Sequence, residues 1–391
     1  MTTPPFERYA GREQAWVKHY FLGNYLERLI HKVAASFDTI VYVDGFSGPW
    51  KSETEDFADT SFGIALEALR KAKGAWQAHR KDVQMKAVLV EERAKPFAAL
   101  QQLQPRYPDV EITPLRGDFR ELIGTIMGAI PSSGFAFFLI DPKGWRIPMA
   151  KLDRLLSRPN SEVLFNFMFE FINRAAAMSA PVTVDGLNEL LPIDGWRDAL
   201  AEIDRNSPPE AVAEARKKVL HEAFRRVLRE RGNFPYVADV PVLRPLKERQ
   251  IYSLVYATRS DTGIDVFRDC QIKTLGEQDA MRGAAQVAAH KAASGQGDMF
   301  GTTAGMAPSM THDFLASERA AAEAMLIECA SGDGLLWGKA WPAVLSRHAI
   351  KRTELNAIAA QLRKDGVLTF EGWADRKRVP DNNYRMRLAG R

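Results

Sequence analysis

Residues 40–50 read IVYVDGFSGPW, an apolar stretch that reaches an acid at Asp44 and then breaks into a turn containing Gly45 and Gly48. A strand, an acid and a glycine-rich turn ahead of a helix are typical of the ligand-binding edge of a doubly wound α/β sheet. Alone, the same pattern is about as typical of a tight turn that closes a strand. The segments that follow it decide between the two interpretations.

Four more apolar segments follow, and each is succeeded by a helical pattern. They lie within residues 86–92, 110–119, 134–145 and 162–174. Apolar strands that alternate with helices predict an α/β fold with a mostly parallel, doubly wound sheet and helices on both faces. Each of the five strands ends in a polar residue, and these are Asp44, Glu91, Asp118, Asp141 and Asn166. Because the carboxyl ends of parallel strands meet at one edge, the sequence predicts a ligand crevice there.

The composition is that of a globular protein, with 391 residues of which 46% are apolar and 26% charged. This length predicts two domains. The N-terminus lacks the apolar core of a secretory signal, and no apolar run approaches the ~20 residues of a membrane span. Two distant cysteines, Cys270 and Cys329, suit a reducing compartment and provide no metal cluster. We therefore expect a cytoplasmic protein without a bound metal.

The domain organisation can be read from changes in composition along the chain. The predicted sheet domain covers residues 1–283 and includes a helical insertion at about 175–233. Residues 284–312 are rich in Ala, Gly and Ser and are predicted to be a linker. Residues 313–391 show three helical patterns followed by two strands, which predicts a winged helix-turn-helix domain.

Basic residues are concentrated at the C-terminal end. Residues 339–391 carry 12 Lys or Arg against 5 Asp or Glu, an excess of +7 (12 − 5). Such an excess predicts contact with a polyanion such as DNA or RNA, while a solvated basic tail and a protein-binding winged helix are the alternatives. The candidate contacts lie on the predicted recognition helix and at the predicted wing tip: Lys351, Arg352, Arg363, Arg376, Lys377 and Arg378.

The glycine spacing argues against a cofactor that binds through phosphates, because neither a P-loop nor the dinucleotide fingerprint is present. The turn DGFSGPW instead resembles the Asp-Pro-Phe-Ala-Gly-Ser-Gly turn of S-adenosylmethionine-dependent methyltransferases that act on nucleic-acid bases. The resemblance implies that the methionine part of S-adenosylmethionine lies against this turn, with an acid beside its ammonium group. The implied residues are Asp44, Gly45, Phe46, Ser47 and Gly48.

The same resemblance assigns roles to the acids of the next two strands. It implies that Glu91 accepts hydrogen bonds from the two ribose hydroxyls and that Asp118 accepts one from the adenine amino group. A crevice lined by acids suits a cofactor that carries no phosphate, whereas it would repel a pyrophosphate.

The segment IDPKGW, residues 140–145, occupies the position of the Asp/Asn-Pro-Pro-Tyr/Phe motif of amino-methyltransferases. By this resemblance Asp141 and the Pro142 carbonyl accept hydrogen bonds from an exocyclic amine, and Trp145 stacks on the flipped base. Plain packing is an equal alternative for Trp145. Lys143 would contact a phosphate or assist proton transfer, unless it is simply solvated. Lys143 and Gly144 also depart from the motif, which weakens the implication that the acceptor is an exocyclic amine.

A wider resemblance covers roughly residues 18–275. The motifs YVDGFSGPW, VLVEE, FFLIDPKGW, LFNFMFEFINR and IYSLVYATRS, in this order, resemble the three-Cys-motif partner protein family of bacterial methyltransferase-like proteins. Membership would imply a Rossmann-like class I methyltransferase fold, S-adenosylmethionine as cofactor, and a separately encoded partner protein that carries the three cysteines. The C-terminal segment resembles the winged helix that accompanies some of these proteins.

Two departures from the family pattern leave a second function open. Trp50 replaces the last glycine of the turn, and residues 60–62 read Thr-Ser-Phe in place of Gly-Ser-Pro. Trp50 would either line the cofactor site or block cofactor binding. With Lys143 and Gly144, these departures indicate an alternative function, a catalytically degenerate methyltransferase-fold protein that binds nucleic acid or serves as an adaptor.

Overall fold

The computed structural model describes residues 6–9, 11–48, 57–203, 206–247, 249–294 and 310–390. Trp50 therefore lies outside the described residues. The chain divides into two compact units, Met1–Arg259 and Ser260–Arg391. No helix of the described part of the chain is long and apolar enough to cross a membrane.

The N-terminal unit is built on a seven-stranded sheet. The strands are β1 (Thr39–Asp44), β2 (Gln84–Glu91), β3 (Glu111–Arg116), β4 (Phe135–Ile140), β5 (Ser161–Phe167), β6 (Tyr236–Leu243) and β7 (Gln250–Thr258). Their order across the sheet is β3-β2-β1-β4-β5-β7-β6, and β7 runs antiparallel to both of its neighbours. This mostly parallel, doubly wound sheet is Rossmann-like, so the predicted α/β fold class is confirmed.

Helices cover the sheet, and their positions follow from the sequence. They are α1 (Glu13–Ala34), α2 (Ser61–Ala78), α3 (Ala94–Gln101), α4 (Ile123–Gly128) and α5 (Asp153–Leu156). Helix α2 begins where Thr60 caps it, because the Thr60 hydroxyl oxygen accepts a hydrogen bond from the Gly63 amide at 3.1 Å. Every residue of β4 and of β5 is buried, as expected for central strands with helices on both faces.

Four helices lie between β5 and β6. They are α6 (Phe169–Ala175), α7 (Pro181–Leu190), α8 (Trp196–Ala201) and α9 (Pro209–Gly232). Helix α9 packs on β5 through Phe224, whose ring centroid lies 4.8 Å from that of Phe165 and 4.6 Å from that of Phe167. The hydrophobic core therefore continues from β5 onto the apolar face of α9.

The C-terminal unit combines helices with a small antiparallel sheet. Its elements are α10 (Asp261–Ser294), α11 (Met310–Cys329), β8 (Leu335–Leu336), α12 (Trp337–Arg347), α13 (Arg352–Lys364), β9 (Leu368–Phe370) and β10 (Arg385–Leu388). The strand order is β8-β10-β9. Strand β8 has no counterpart in the sequence analysis, because two residues are too few to show a periodicity.

The boundary between the units differs from the expected one at residue 283. It lies between Arg259 and Ser260 because α10 packs within the C-terminal unit, where the buried Arg268 guanidinium donates to the Leu345 carbonyl at 2.6 Å. Helix α10 also continues to Ser294, so residues 284–294 are helical and not a linker. Their alanines are strong helix formers, which outweighs the resemblance of this segment to a linker. Residues 295–309 of the expected linker lie outside the described residues.

Candidate functional site at the carboxyl edge of the sheet

The polar strand ends converge at the carboxyl edge of the sheet. Strands β1 and β4 are neighbours there, and the chain order reverses between them, which is the switch point where doubly wound sheets open a crevice. Two cavities lined by described residues lie at this edge. The first, here called the β2–β3 cavity, has about 330 Å³ and is lined by residues that include Gly45, Glu91 and Asp118. The second, the α1 cavity, has about 290 Å³ and is lined by residues that include Asp44 and Asp141.

Phe46 lines both cavities, so they adjoin at the turn after β1. The turn is tied to the sheet on both sides, because the Gly45 amide donates to the Leu139 carbonyl at 3.0 Å and the Ser47 amide to the Val90 carbonyl at 2.8 Å. A Cβ atom at Gly45 would lie 2.8 Å from Phe119 Cδ2, so only glycine fits against that ring. The segment therefore closes a strand and also forms cavity wall.

Three of the predicted acids use the same local hydrogen bond. Asp44, Glu91 and Asp118 each accept from the backbone amide two residues later, at 2.9, 2.7 and 2.8 Å respectively. This is ordinary turn chemistry, which carboxylates at strand ends often perform. It also fixes the direction of each side chain, so the three carboxylates are held at the crevice before any ligand arrives.

Two of these carboxylates, those of Asp44 and Asp118, have pKa values shifted in opposite directions. Burial raises the pKa of Asp44 to about 6, and the nearby Asp141 carboxylate adds to this, while the Phe46 amide and the Lys18 ammonium oppose it. The pKa of Asp118 is lowered instead, chiefly by its hydrogen bonds to the Arg120 guanidinium. Ionisation of Asp44 in the folded protein is therefore costly.

Asp141 is held from both sides. Its Oδ2 lies 2.5 Å from Lys18 Nζ on α1, and its Oδ1 accepts from Asn166 Nδ2 on β5 at 2.5 Å. The Lys18 and Asp141 side chains are 15% and 21% exposed, so the ion pair is largely shielded and stronger than one on the surface. The α1 helix therefore completes a site whose other groups come from the sheet.

The loop after β4 separates the remaining predicted residues. Pro142 and Lys143 line the β2–β3 cavity, and the Lys143 side chain is exposed. Trp145 lies outside the lining of both cavities and packs against the apolar core, with its ring so close to α7 that a Cβ atom at Gly186 would lie 3.1 Å from it. Trp145 therefore makes packing contacts, which is one of its two alternatives, and base stacking stays a prediction.

The predicted nucleic-acid contacts of the C-terminal unit are of two kinds. The Arg352 guanidinium lies 4.0 Å from the centroid of the Trp341 ring and donates to Asn382 Oδ1 at 3.3 Å, and Lys351, just before α13, is partly buried. Arg352 thus makes contacts within the unit, and so does Arg363, whose guanidinium lies 4.6 Å from the centroid of the Trp373 ring. The other four residues are exposed, and they are Arg363, Arg376, Lys377 and Arg378.

A larger cavity of about 490 Å³ lies away from the strand ends, among α6, α8 and α9. Its two arginines contact neighbouring helices, Arg197 through Asn188 of α7 at 3.0 Å and Arg216 through Asn173 of α6 at 3.0 Å. Residues 204–205, which adjoin its lining, lie outside the described part of the chain. We place the candidate site at the strand ends, where the acids converge.

The chain is similar to solved structures at low sequence identity. No protein-family model matches the chain, and no curated protein matches it. One similar solved structure is a DUF574 family protein from Streptomyces avermitilis, with 11% identity and a TM-score of 0.30 over 61% of this chain and 83% of that chain. Another is a loganic acid methyltransferase with SAH, with 7% identity and a TM-score of 0.28 over 70% of this chain and 88% of that chain.

Sequence reasoning missed Lys18 as a member of the site. The lysine lies in an amphipathic helix beside the buried Val17, so its position in the helical pattern looks like that of a solvated residue. The contact with Asp141 spans 123 positions of the chain, and no local pattern encodes it. His19, on the same helix, also lines the α1 cavity, and burial lowers its pKa well below the ordinary value.

Proposed function

We propose that the N-terminal unit is an S-adenosylmethionine-dependent methyltransferase that acts on a base of DNA or RNA. The observation that carries the proposal is the pair of adjoining cavities at the sheet switch point, with carboxylates from β1 and from the ends of β2 and β3 in their walls. Each cavity has a volume near the lower end of the range for small-molecule sites, and together they offer room for a two-part ligand.

The residues of the β2–β3 cavity fit an adenosine group. Glu91 would accept from the ribose hydroxyls and Asp118 from the adenine amino group, between apolar walls that include Phe119 and Ile147. In the α1 cavity Asp44 would lie beside the ammonium of the methionine part, with Ser47 and Gly48 in the wall. When bound, S-adenosylmethionine supplies an activated methyl group on a positively charged sulfur.

The residues of the chain itself would orient the acceptor. Asp141 lies next to the cofactor site, and Lys18 and Asn166 fix its direction. Its carboxylate and the Pro142 carbonyl would accept hydrogen bonds from an acceptor amine and so keep the nitrogen lone pair directed at the methyl group. Holding donor and acceptor in a near-attack geometry is the main requirement of such a displacement.

The nucleic-acid substrate is the less direct part of the proposal. It is supported by the basic excess of residues 339–391 and by the exposed positions of Arg363, Arg376 and Arg378. The order of helices and strands in the C-terminal unit supports a winged helix, in which the β9–β10 connection would be the wing. A separately encoded three-Cys-motif protein is proposed as a partner on the family resemblance alone.

Calorimetry with S-adenosylmethionine and S-adenosylhomocysteine tests the cofactor assignment. Glu91→Gln should weaken binding of both ligands at least tenfold, because the buried carboxylate would lose its charge-assisted hydrogen bonds. Glu111→Gln is the matched control, since Glu111 lies at the amino end of β3, away from the carboxyl ends of the strands that form the crevice. Equal affinities for the two variants would remove Glu91 from the site.

One observation favours the second candidate function, a degenerate adaptor. Both carboxylate oxygens of Asp141 already have partners within the protein, Lys18 and Asn166. If the protein is an adaptor, the Lys18–Asp141 ion pair would be structural, and S-adenosylmethionine would produce no binding heat in the wild-type protein. Binding without any methyl transfer to mixed DNA or RNA, in the presence of the partner protein, would also support the adaptor.

A further inference from the structure

The largest of the three cavities described above lies in the helical insertion, away from the strand ends. Its volume of about 490 Å³ is within the range of small-molecule sites. The described lining contains two cations, Arg197 of α8 and Arg216 of α9, and no acidic residue. The rest of the described lining is apolar and consists of Ala176, Ala177, Leu200, Ala201, Ile203 and Val212. The proposed cofactor would bind at the strand ends, so it does not account for this cavity.

Both arginines are held by uncharged partners. Arg197 Nε and Nη2 donate to Asn188 Oδ1 at 3.2 and 3.0 Å, and Nη2 also donates to the Val184 carbonyl at 3.2 Å. Arg216 Nε donates to Asn173 Oδ1 at 3.0 Å, and its Nη2 donates to the Asn173 carbonyl at 3.3 Å. Within the described part of the chain, neither guanidinium forms an ion pair with a carboxylate, and neither Nη1 group donates a hydrogen bond to the protein.

These contacts fix the direction of the two guanidiniums without neutralising their charge. Both arginines are partly buried, and the Arg197 guanidinium also lies 4.3 Å from the centroid of the Trp196 ring. Two like charges in the wall of one largely apolar cavity repel each other, and partial burial makes each of them more costly. An anion in the cavity would reduce both costs. A carboxylate fits this chemistry, because its two oxygens match the planar donor groups of a guanidinium.

We propose that this cavity binds a small amphiphilic carboxylate, an anion with one carboxylate group on an apolar chain or ring. The carboxylate would accept hydrogen bonds from the guanidiniums of Arg197 and Arg216. The apolar body would lie along Leu200, Ile203 and Val212. This is a second ligand site, and it does not depend on the proposed methyltransferase activity.

Calorimetry of the full chain with sodium octanoate tests the proposal, and octanol and acetate separate the two parts of the ligand. Octanoate should bind at a single site, and octanol should bind about tenfold more weakly, because it brings no charge to the guanidiniums. Acetate, which lacks the apolar body, should give no measurable heat. Hydrogen exchange should show protection by octanoate in α6, α8 and α9, because these helices surround the cavity.

Arg197→Gln and Arg216→Gln should each weaken octanoate binding about tenfold, the loss expected for one hydrogen bond between charged groups. Arg229→Gln is the matched control, because Arg229 lies on the same helix as Arg216 and already pairs with Glu222 at 2.7 Å. Its affinity for octanoate should equal that of the wild-type protein.

Val212→Glu tests the site without removing the contacts that the arginines make with neighbouring helices. The new carboxylate would lie four residues before Arg216 on α9, a spacing that favours an ion pair within a helix. It would supply the missing anion, so the variant should keep or raise the melting temperature and lose octanoate binding. Ala213→Glu is the control, because Ala213 is exposed and lies outside the described lining of the cavity.

Four results would overturn the proposal. They are the absence of octanoate binding, equal affinities for octanoate and octanol, unchanged octanoate affinity in Val212→Glu or in both arginine variants, and protection by octanoate at the strand ends instead of in the insertion. Octyl phosphate that binds about tenfold more tightly than octanoate would also overturn the assignment, because the preferred head group would then be a phosphate.

Discussion

The contribution of Asp44 to the free energy of unfolding should be less favourable at neutral pH than at acidic pH. Asp44 is 2% exposed, and burial raises the pKa of its carboxyl group from the ordinary 3.8 to about 6. Since each pKa unit corresponds to about 1.4 kcal/mol, keeping this group ionised in the folded state costs about 3 kcal/mol. Asp44→Asn removes the ionisation and can retain the hydrogen bond that the Phe46 amide donates to the side-chain oxygen.

The sign follows from proton binding in the two states. Below about pH 3.8 the carboxyl group is protonated whether the chain is folded or unfolded, so it costs nothing. Between about pH 4 and pH 6 the folded state still holds the proton while the unfolded chain has released it, and the stability falls as the pH rises. Above about pH 6 the full cost is present. Asp44→Asn should therefore match the wild-type protein near pH 4 and be more stable by about 3 kcal/mol near pH 7.5.

Urea denaturation at both pH values measures this difference, with hydrogen exchange assigning the transition of the N-terminal unit. Asp82→Asn is the control, because Asp82 is 75% exposed and lies outside the crevice. Equal stability of Asp44→Asn and the wild-type protein at pH 7.5 would refute the reasoning. A stabilisation that does not change with pH would refute it too, because it would arise from packing and not from ionisation.

The same group gives a signature of cofactor binding. An ammonium placed beside Asp44 would favour the ionised carboxylate, so binding of S-adenosylmethionine near pH 6 should release about half a proton. The Asp44→Asn variant should release none. Calorimetry in buffers of different ionisation enthalpy measures the number of protons.

Two further predictions concern the turn after β1 and the ion pair across the α1 cavity. Gly45→Ala should destabilise the protein by about 1–3 kcal/mol, because its Cβ would lie 2.8 Å from the Phe119 ring; thermal denaturation measures the loss, and Phe119→Leu in the same chain should recover part of it. Lys18→Gln should reduce transfer of labelled methyl groups to nucleic acid about tenfold, because Asp141 loses the partner at 2.5 Å that directs its side chain. This corresponds to an activation barrier raised by about 1.4 kcal/mol, and the affinity for the cofactor should change by no more than a few-fold. Lys18→Arg should restore much of the activity, and a variant of unaltered turnover would show that the ion pair is only structural.

Much of the architecture was accessible from the sequence because it depends on local patterns. The alternation of apolar strands with helices predicted the sheet, and the polar residue at each strand end predicted where the crevice lies. Parallel strands share their direction, so these ends meet at one edge whatever the details of packing. Asp44, Glu91 and Asp118 line the cavities for that reason.

Other features were decided only by contacts between distant segments. Lys18 reaches Asp141 across 123 positions, Trp145 turns into the core against α7, and Arg352 packs on Trp341. The domain boundary lies at Arg259 and not at residue 283, because α10 packs within the C-terminal unit. No change in composition along the chain marks that position. Periodicity and chain direction determine on which strand or helix a residue lies. The neighbours of its side chain are present only in the folded chain, and they set the direction and the charge state of that side chain.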